Sequence, residues 1–209
     1  MSICDLSCNA FIDALASSQP YPGGGGAAAL AGAIGVALGD MVGSFTVGKK
    51  KYLEVEELMV ELKKQSAELE KQLLHLVDED ARVFAPLSKA YGLPTTTEEE
   101  KSYKAEVMEQ CLKDAASVPM GIMHCACQAL DILSQFAAKG SKMMVSDAGC
   151  GAVCCRAALE AASLNVFINT KSMKDRQYAD KLNAEAEAML KQYTQLAQKI
   201  YDQVTKQCR

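Results

Sequence analysis

Residues 53–90 read LEVEELMVELKKQSAELEKQLLHLVDEDARVFAPLSKA, and the fold is decided there. Leu58, Leu62, Leu69, Leu73, Leu76, Val83 and Leu87 recur at the spacing of one helix face, so the stretch predicts a single long helix, kinked at Pro86. Upstream, residues 27–47 are nearly all small or apolar and predict a buried helix. Within it Gly35, Gly39 and Gly43 fall on one face and invite close approach of another backbone, within or between subunits. Residues 3–18 carry Leu6, Phe11, Ile12 and Leu15 at helical spacing, and Gln19-Pro20-Tyr21-Pro22 with Gly23 to Gly26 predicts a rigid, glycine-rich loop after them. Downstream, Gly92 to Thr97 reads as a break and Glu98-Glu99-Glu100 as an acidic first turn. A second long helix then runs to about Lys139-Gly140 with a kink at Pro119, and helices at about 147–171 and 174–207 follow. No stretch reads as a strand or repeat. The expectation is all-α: one domain over residues 1–209, a bundle of about six helices, two of them long and Pro-kinked.

Composition narrows the class. With 22 Lys+Arg against 26 Asp+Glu the net charge is −4, which implies neither a nucleic-acid partner nor an anionic membrane. The 27–47 stretch is long enough to span a bilayer, but Asp40 sits inside it, where insertion costs ~3 kcal/mol, so a buried soluble helix is the better reading. Nine cysteines, an odd number lying partly inside helical runs, argue against a disulfide framework. The opening MSICDLSCNAF has no basic region followed by an apolar core, so a cytoplasmic location is expected.

Several motifs fail on inspection. Gly43 to Lys50 nearly matches the phosphate-binding GxxxxGK[ST] pattern, but Lys50 replaces the hydroxyl and no strand precedes it. Gly23 to Gly26 lack dinucleotide-site spacing; they form either a sharp turn or a loop before a helix whose free N–H groups accept an anion. Cys125 and Cys127 point about 200° apart on a helix, so with Cys150, Cys154 and Cys155 they read as small core residues rather than a metal site. His75 and His124 lack the surroundings of a hydrolase triad.

Three constellations survive. Asp80 interrupts the long-helix stripe, and a carboxylate on a buried face is either tuned for general acid/base work or held by hydrogen bonds where the helix emerges. Asp147, Gly151, Cys154, Ala158, Ala162, Asn165 and Asn169 form a second stripe. It lines a polar groove, or else Asp147 caps the helix and the asparagines bond across a helix interface. Lys49, Lys50 and Lys51 suit an acidic ligand, or are solvated lysines favoured by the helix dipole.

Together Pro22-Gly23-Gly24-Gly25, then Thr46, Gly48-Lys49-Lys50 and Tyr52, then Asp80-Ala81 with Phe84, then Ser146-Asp147 and Asn165-Val166 with Ile168-Asn169, resemble the folate cyclodeaminase/cyclohydrolase family over nearly the whole chain. The resemblance implies an all-α dimer that handles one-carbon units on tetrahydrofolate, without metal or redox cofactor. The substrate would be an N5,N10-bridged methenyl cation or a 5-formimino adduct. Asp80 would be the general acid/base, Lys49 and Lys50 would hold the glutamate tail, and Gly24, Gly25, Asp147, Asn165 and Asn169 would complete the substrate site. Methenyltetrahydrofolate cyclohydrolase is placed first because the chain stands alone, with formiminotetrahydrofolate cyclodeaminase as the alternative. Position 26 is Gly where the family usually has Ser, and Asp40 stands where a small apolar residue is usual. The first departure keeps open a non-catalytic helical dimer that binds folate or a protein.

Overall fold

Side-chain size decides which helix can occupy the middle of a bundle, and the Gly/Ala-rich segment takes that place. The structure, a computed structural model, describes residues 2–209. Its α-helices are α1 (Cys8–Leu15), α2 (Gly24–Ser44), α3 (Glu56–Tyr91), α4 (Glu98–Lys139), α5 (Val145–Lys171) and α6 (Arg176–Cys208), and no strand occurs among the described residues. Helix α2 packs on α3, α4 and α5, and α6 closes the far side against α5 and α4. By length and apolar content α2, α4 and residues 142–171 would each be able to cross a membrane, but here they pack on one another. Asp40, the charge inside α2, pairs with Lys63 of α3 at 2.8 Å near the surface.

The glycines let α2 lie against its neighbours at backbone distance. A Cβ added at Gly35 would stand 2.8 Å from the Gly151 carbonyl oxygen, and one at Gly151 would stand 2.6 Å from that of Gly35, so α2 and α5 touch along their main chains. Gly39 meets Leu133 and Phe136 of α4, and Gly43 meets Phe136 and Lys63. The close approach read from these glycines is therefore used within one chain.

Both long helices carry their prolines inside, Pro86 in α3 and Pro119 in α4. A capping box of Thr97 and Glu100 starts α4, as the acidic first turn suggested. Two expectations need correction. Residues 3–18 form a 3-10 turn at Ile3–Asp5 and then the shorter α1, because Ser2 and Ser7 each cap a separate start through Cys4 N–H and Ala10 N–H. The glycine loop ends at Gly23: Gly24, Gly25 and Gly26 are the first turn of α2.

The nine cysteines are free thiols. Burial pushes the Cys127 thiol up to about 12 and raises that of Cys155 further, so both behave as small apolar residues.

The α2–α5 contact yields a stability test. Gly151→Ala forces the two backbones apart at a cost of about 1–3 kcal/mol, which lowers Tm by roughly 2–10 °C for a chain of this size. An unchanged melting curve would mean that the two helices are not in backbone contact.

Candidate active site

The start of a helix has N–H groups without intrahelical acceptors, and α2 begins at a residue that cannot supply one. Gly23 has no side chain, and no side-chain cap is present at that end. The acceptor comes from α3 instead: Asp80 Oδ2 receives the Gly26 N–H at 2.9 Å. Gly25 makes room for it, since a Cβ there would overlap the Asp80 carboxylate. Positive charge at the helix N-terminus favours this carboxylate. Burial acts the other way and dominates, so the Asp80 carboxyl is held above its ordinary value despite the Gly26 N–H.

Around this contact lies a cleft of about 240 Å³, lined among others by Pro20, Gly24, Phe84, Ala115, Asn165 and Asn169. Asn165 lies beside Gly24 and donates its amide to Ala161 O at 2.9 Å. Asn169 donates to Asn165 O at 2.9 Å and across to Ala115 O of α4 at 3.2 Å, so one of the two interface-bonding asparagines envisaged above does cross a helix boundary. The structure thus brings Asp80, Gly24, Gly25, Asn165 and Asn169 to one cleft.

Lys49, Lys50 and Asp147 are elsewhere. The 21 residues of α2 span about 30 Å, and the lysines follow its far end. Helix α5 runs antiparallel to α2, with Asn165 beside Gly24 and Cys155 beside Gly35, so Asp147 in the first turn of α5 also lies at the far end. Nor does Asp147 cap α5, whose N-cap position is Met144. The far end is well built. Gly48 turns the chain with a φ of 76°, a left-handed conformation suited to glycine. Thr46 donates to Val42 O and accepts from Ser141 N, while Tyr52 Oη accepts from Lys142 N. Lys142 thereby joins Lys49, Lys50 and Lys51 beside the loop between α4 and α5, a lysine the sequence stripe did not point to.

Sequence reasoning missed Pro20 and Ala115 as cleft residues. Pro20 carried no signal beyond its loop. Ala115 did, because it stands four residues before Pro119. A larger cleft of about 750 Å³ between α3 and α4 is lined by solvated groups of both signs, including Lys64, Glu68, Lys71 and Asp131.

Residues 7–188 match the family model described as Formiminotransferase-cyclodeaminase. The chain belongs to that family. It is 40% identical to methenyltetrahydrofolate cyclohydrolase of Methylorubrum extorquens, over 93% of each chain. It is 31% identical to mouse formimidoyltransferase-cyclodeaminase over 91% of its own length, which is 35% of that larger protein. The formiminotetrahydrofolate cyclodeaminase of Thermotoga maritima shares its fold at a TM-score of 0.80 and 30% identity, covering 98% of this chain and 96% of that one. The glycine at position 26, where the family resemblance expects Ser, is not imposed by crowding: a Cβ there would meet Val77 O at 3.6 Å and Pro22 Cβ at 3.7 Å, ordinary contact distances.

Neighbouring glycines should therefore respond differently. Gly25→Ala displaces the Asp80 carboxylate from α2 and abolishes whatever depends on it, whereas Gly26→Ser keeps the backbone N–H and leaves Asp80 in place. Comparing the two by activity and melting temperature checks this, and equal losses would contradict the placement of Asp80. Stability should also carry the mark of the half-buried carboxyl. Because the folded state raises its pKa, ionisation costs stability as pH rises from the usual value of 3.8, so Asp80→Asn gains on wild type with rising pH until the group is fully ionised. Melting temperatures of both proteins from pH 3 to 8 would show it; a variant that lost ground to wild type with rising pH would contradict it.

Proposed function

We propose that this family member hydrolyses 5,10-methenyltetrahydrofolate to 10-formyltetrahydrofolate, with Asp80 as general base and then general acid. The observation that carries the reading is a half-buried carboxylate held above its ordinary pKa by desolvation and fixed against a helix start in an asparagine-lined cleft. The similarity to a methenyltetrahydrofolate cyclohydrolase over 93% of both chains supports it. The ionised carboxylate favours the cationic substrate and takes a proton from the water that attacks the methenyl carbon. A tetrahedral carbinolamine results. Asp80 then returns the proton to N5 as the carbon–N5 bond breaks, and the hydroxyl's remaining proton is released to solvent as the formyl C=O forms on N10. Asn165 and Asn169 are placed to pair with the pterin, and the first N–H groups of α2 at Gly24 and Gly25 add polar contacts.

The match to a solved formiminotetrahydrofolate cyclodeaminase favours a second reaction on the same site. There N10 would attack the formimino carbon and Asp80 would pass a proton to the departing ammonia.

The position of the lysines supports a homodimer that shares its sites. A cleft of about 240 Å³ is smaller than the ~300–1,000 Å³ of ordinary small-molecule sites. Helix α2 and its C-cap leave Ile34, Met41 and Phe45 exposed along the outer face, and at the Asp80 end α5 leaves Leu164 and Ile168 exposed. Two copies paired antiparallel on this face bury it and bring Lys49 and Lys50 of one copy to the Asp80 end of the other. The glutamate tail would then be held across the interface. Nine free thiols fit a reducing cytoplasm as the setting.

Loss of methenyltetrahydrofolate, followed by its near-ultraviolet absorbance against a buffer control, tests the reaction. Wild type should outpace buffer, with an acid limb above the ordinary carboxylate range. Asp80→Asn should be slower by roughly 100-fold or more. Wild type no faster than buffer would sink the cyclohydrolase reading, and 5-formiminotetrahydrofolate with ammonia detection would then separate a cyclodeaminase from a folate binder without turnover. For the shared site, Ile34→Asp should give monomers by sedimentation together with lost activity, whereas Lys49→Glu with Lys50→Glu should raise KM in an intact dimer. A fully active monomer would refute sharing.

A further inference from the structure

A proline inside a helix lacks the N–H that would serve the carbonyl four residues earlier. In α4 that proline is Pro119 and the carbonyl is that of Ala115. Ala115 is 4% exposed, so water is a poor substitute, and its residue lines the Asp80 cleft. The comparable carbonyl released by Pro86 in α3 belongs to exposed Arg82, where solvent can serve it.

At Ala115 the missing donor is replaced by a side chain from another helix. Asn169 Nδ2 reaches Ala115 O at 3.2 Å and Asn165 O at 2.9 Å. A carboxamide nitrogen has two protons, and both are used. Reversing the amide would set Oδ1 against two carbonyl oxygens, so the network admits one orientation. Among the described residues no donor is bonded to Asn169 Oδ1, although Asn169 lines the cleft.

We propose that Pro119 is a positioning residue: by releasing the Ala115 carbonyl it locks the Asn169 carboxamide, so that Asn169 Oδ1 is offered to the cleft as a hydrogen-bond acceptor for an N–H group of the substrate. Under the proposed function, on which this identification rests, that group is an N–H of the pterin ring or its amino substituent. A rigid acceptor costs no reorganisation on binding and rejects ligands that present a lone pair there. Pro119 touches no substrate. Its effect passes through Asn169.

The test combines Pro119→Ala, Asn169→Ala and the double variant. Pro119→Ala restores the N–H that bonds Ala115 O within α4, so it should melt at or above the wild-type temperature. Its KM for methenyltetrahydrofolate should nevertheless rise by about tenfold, the size of one lost hydrogen bond, with a smaller change in kcat. In the Asn169→Ala background the same substitution should leave KM unchanged. A substrate-free readout accompanies this: the Asn169 side-chain amide protons, identified in NMR spectra by their absence from Asn169→Ala, should both be protected from exchange in wild type, and one should lose protection in Pro119→Ala. The proposal is overturned if KM is unaffected by Pro119→Ala, if it rises equally in both backgrounds, or if the wild-type amide is unprotected. Should wild type fail to turn over the substrate, the proposed function falls, while the amide protection still decides whether Pro119 holds Asn169.

Discussion

The Asp80 carboxylate against the first turn of α2 is the contact on which the arrangement depends. Neither side is complete alone. Helix α2 follows Gly23, which supplies no side-chain cap, and the half-buried Asp80 carboxylate on α3 is partly stripped of water. The Gly26 N–H meets both needs with one hydrogen bond, and Gly25 removes the atom that would prevent it. This bond fixes the height of α2 against α3, and the glycine contacts to Gly151 and Leu133 fix it against α5 and α4. The cleft is the space left where those constraints meet. Its chemistry follows from a balance in which burial outweighs the helix N–H and keeps the carboxyl closer to neutrality than a solvated one.

The same helix explains why the remaining site residues lie apart. A straight rod of about 30 Å carries the glycine start at one end and the lysines beyond the other. Its inner face is consumed by packing on α3, α4 and α5, and its outer face is apolar yet uncovered. A second copy in antiparallel order would unite the two ends with no change of fold. The far end supports such a role because Thr46, Gly48 and Tyr52 hold the lysine turn to the loop after α4.

Much of this was legible in the sequence. The leucine spacing of residues 53–90, the Glu98-Glu99-Glu100 turn and the two internal prolines foretold α3 and α4, because helical periodicity is a local property. Asp80 was legible as the one charged residue in an apolar stripe. Other features were hidden because their cause is tertiary. Glycines 24 to 26 read as loop, since nothing nearby shows that a carboxylate 54 residues away will cap them. Gly35, Gly39 and Gly43 signalled close approach without saying to what. The separation of Lys49, Lys50 and Asp147 from Asp80 follows from the antiparallel course of α2 and α5, which motif order along a chain does not reveal. Ala115 went unread although its signal was local: it stands four residues before Pro119, whose missing N–H frees its carbonyl, and only the fold shows that Asn169 answers it.

The central claim is that Asp80 is half-buried against α2 with its proton affinity raised, and direct titration of its side-chain carboxyl by carbon NMR tests it most simply. The signal would be assigned by its absence in Asp80→Asn and followed across the acid and neutral range in the folded protein. The account expects a midpoint above the usual 3.8. A midpoint at or below that value would contradict it, because the helix start would then be stabilising an ordinary solvated or capped carboxylate rather than holding a desolvated one ready to move a proton.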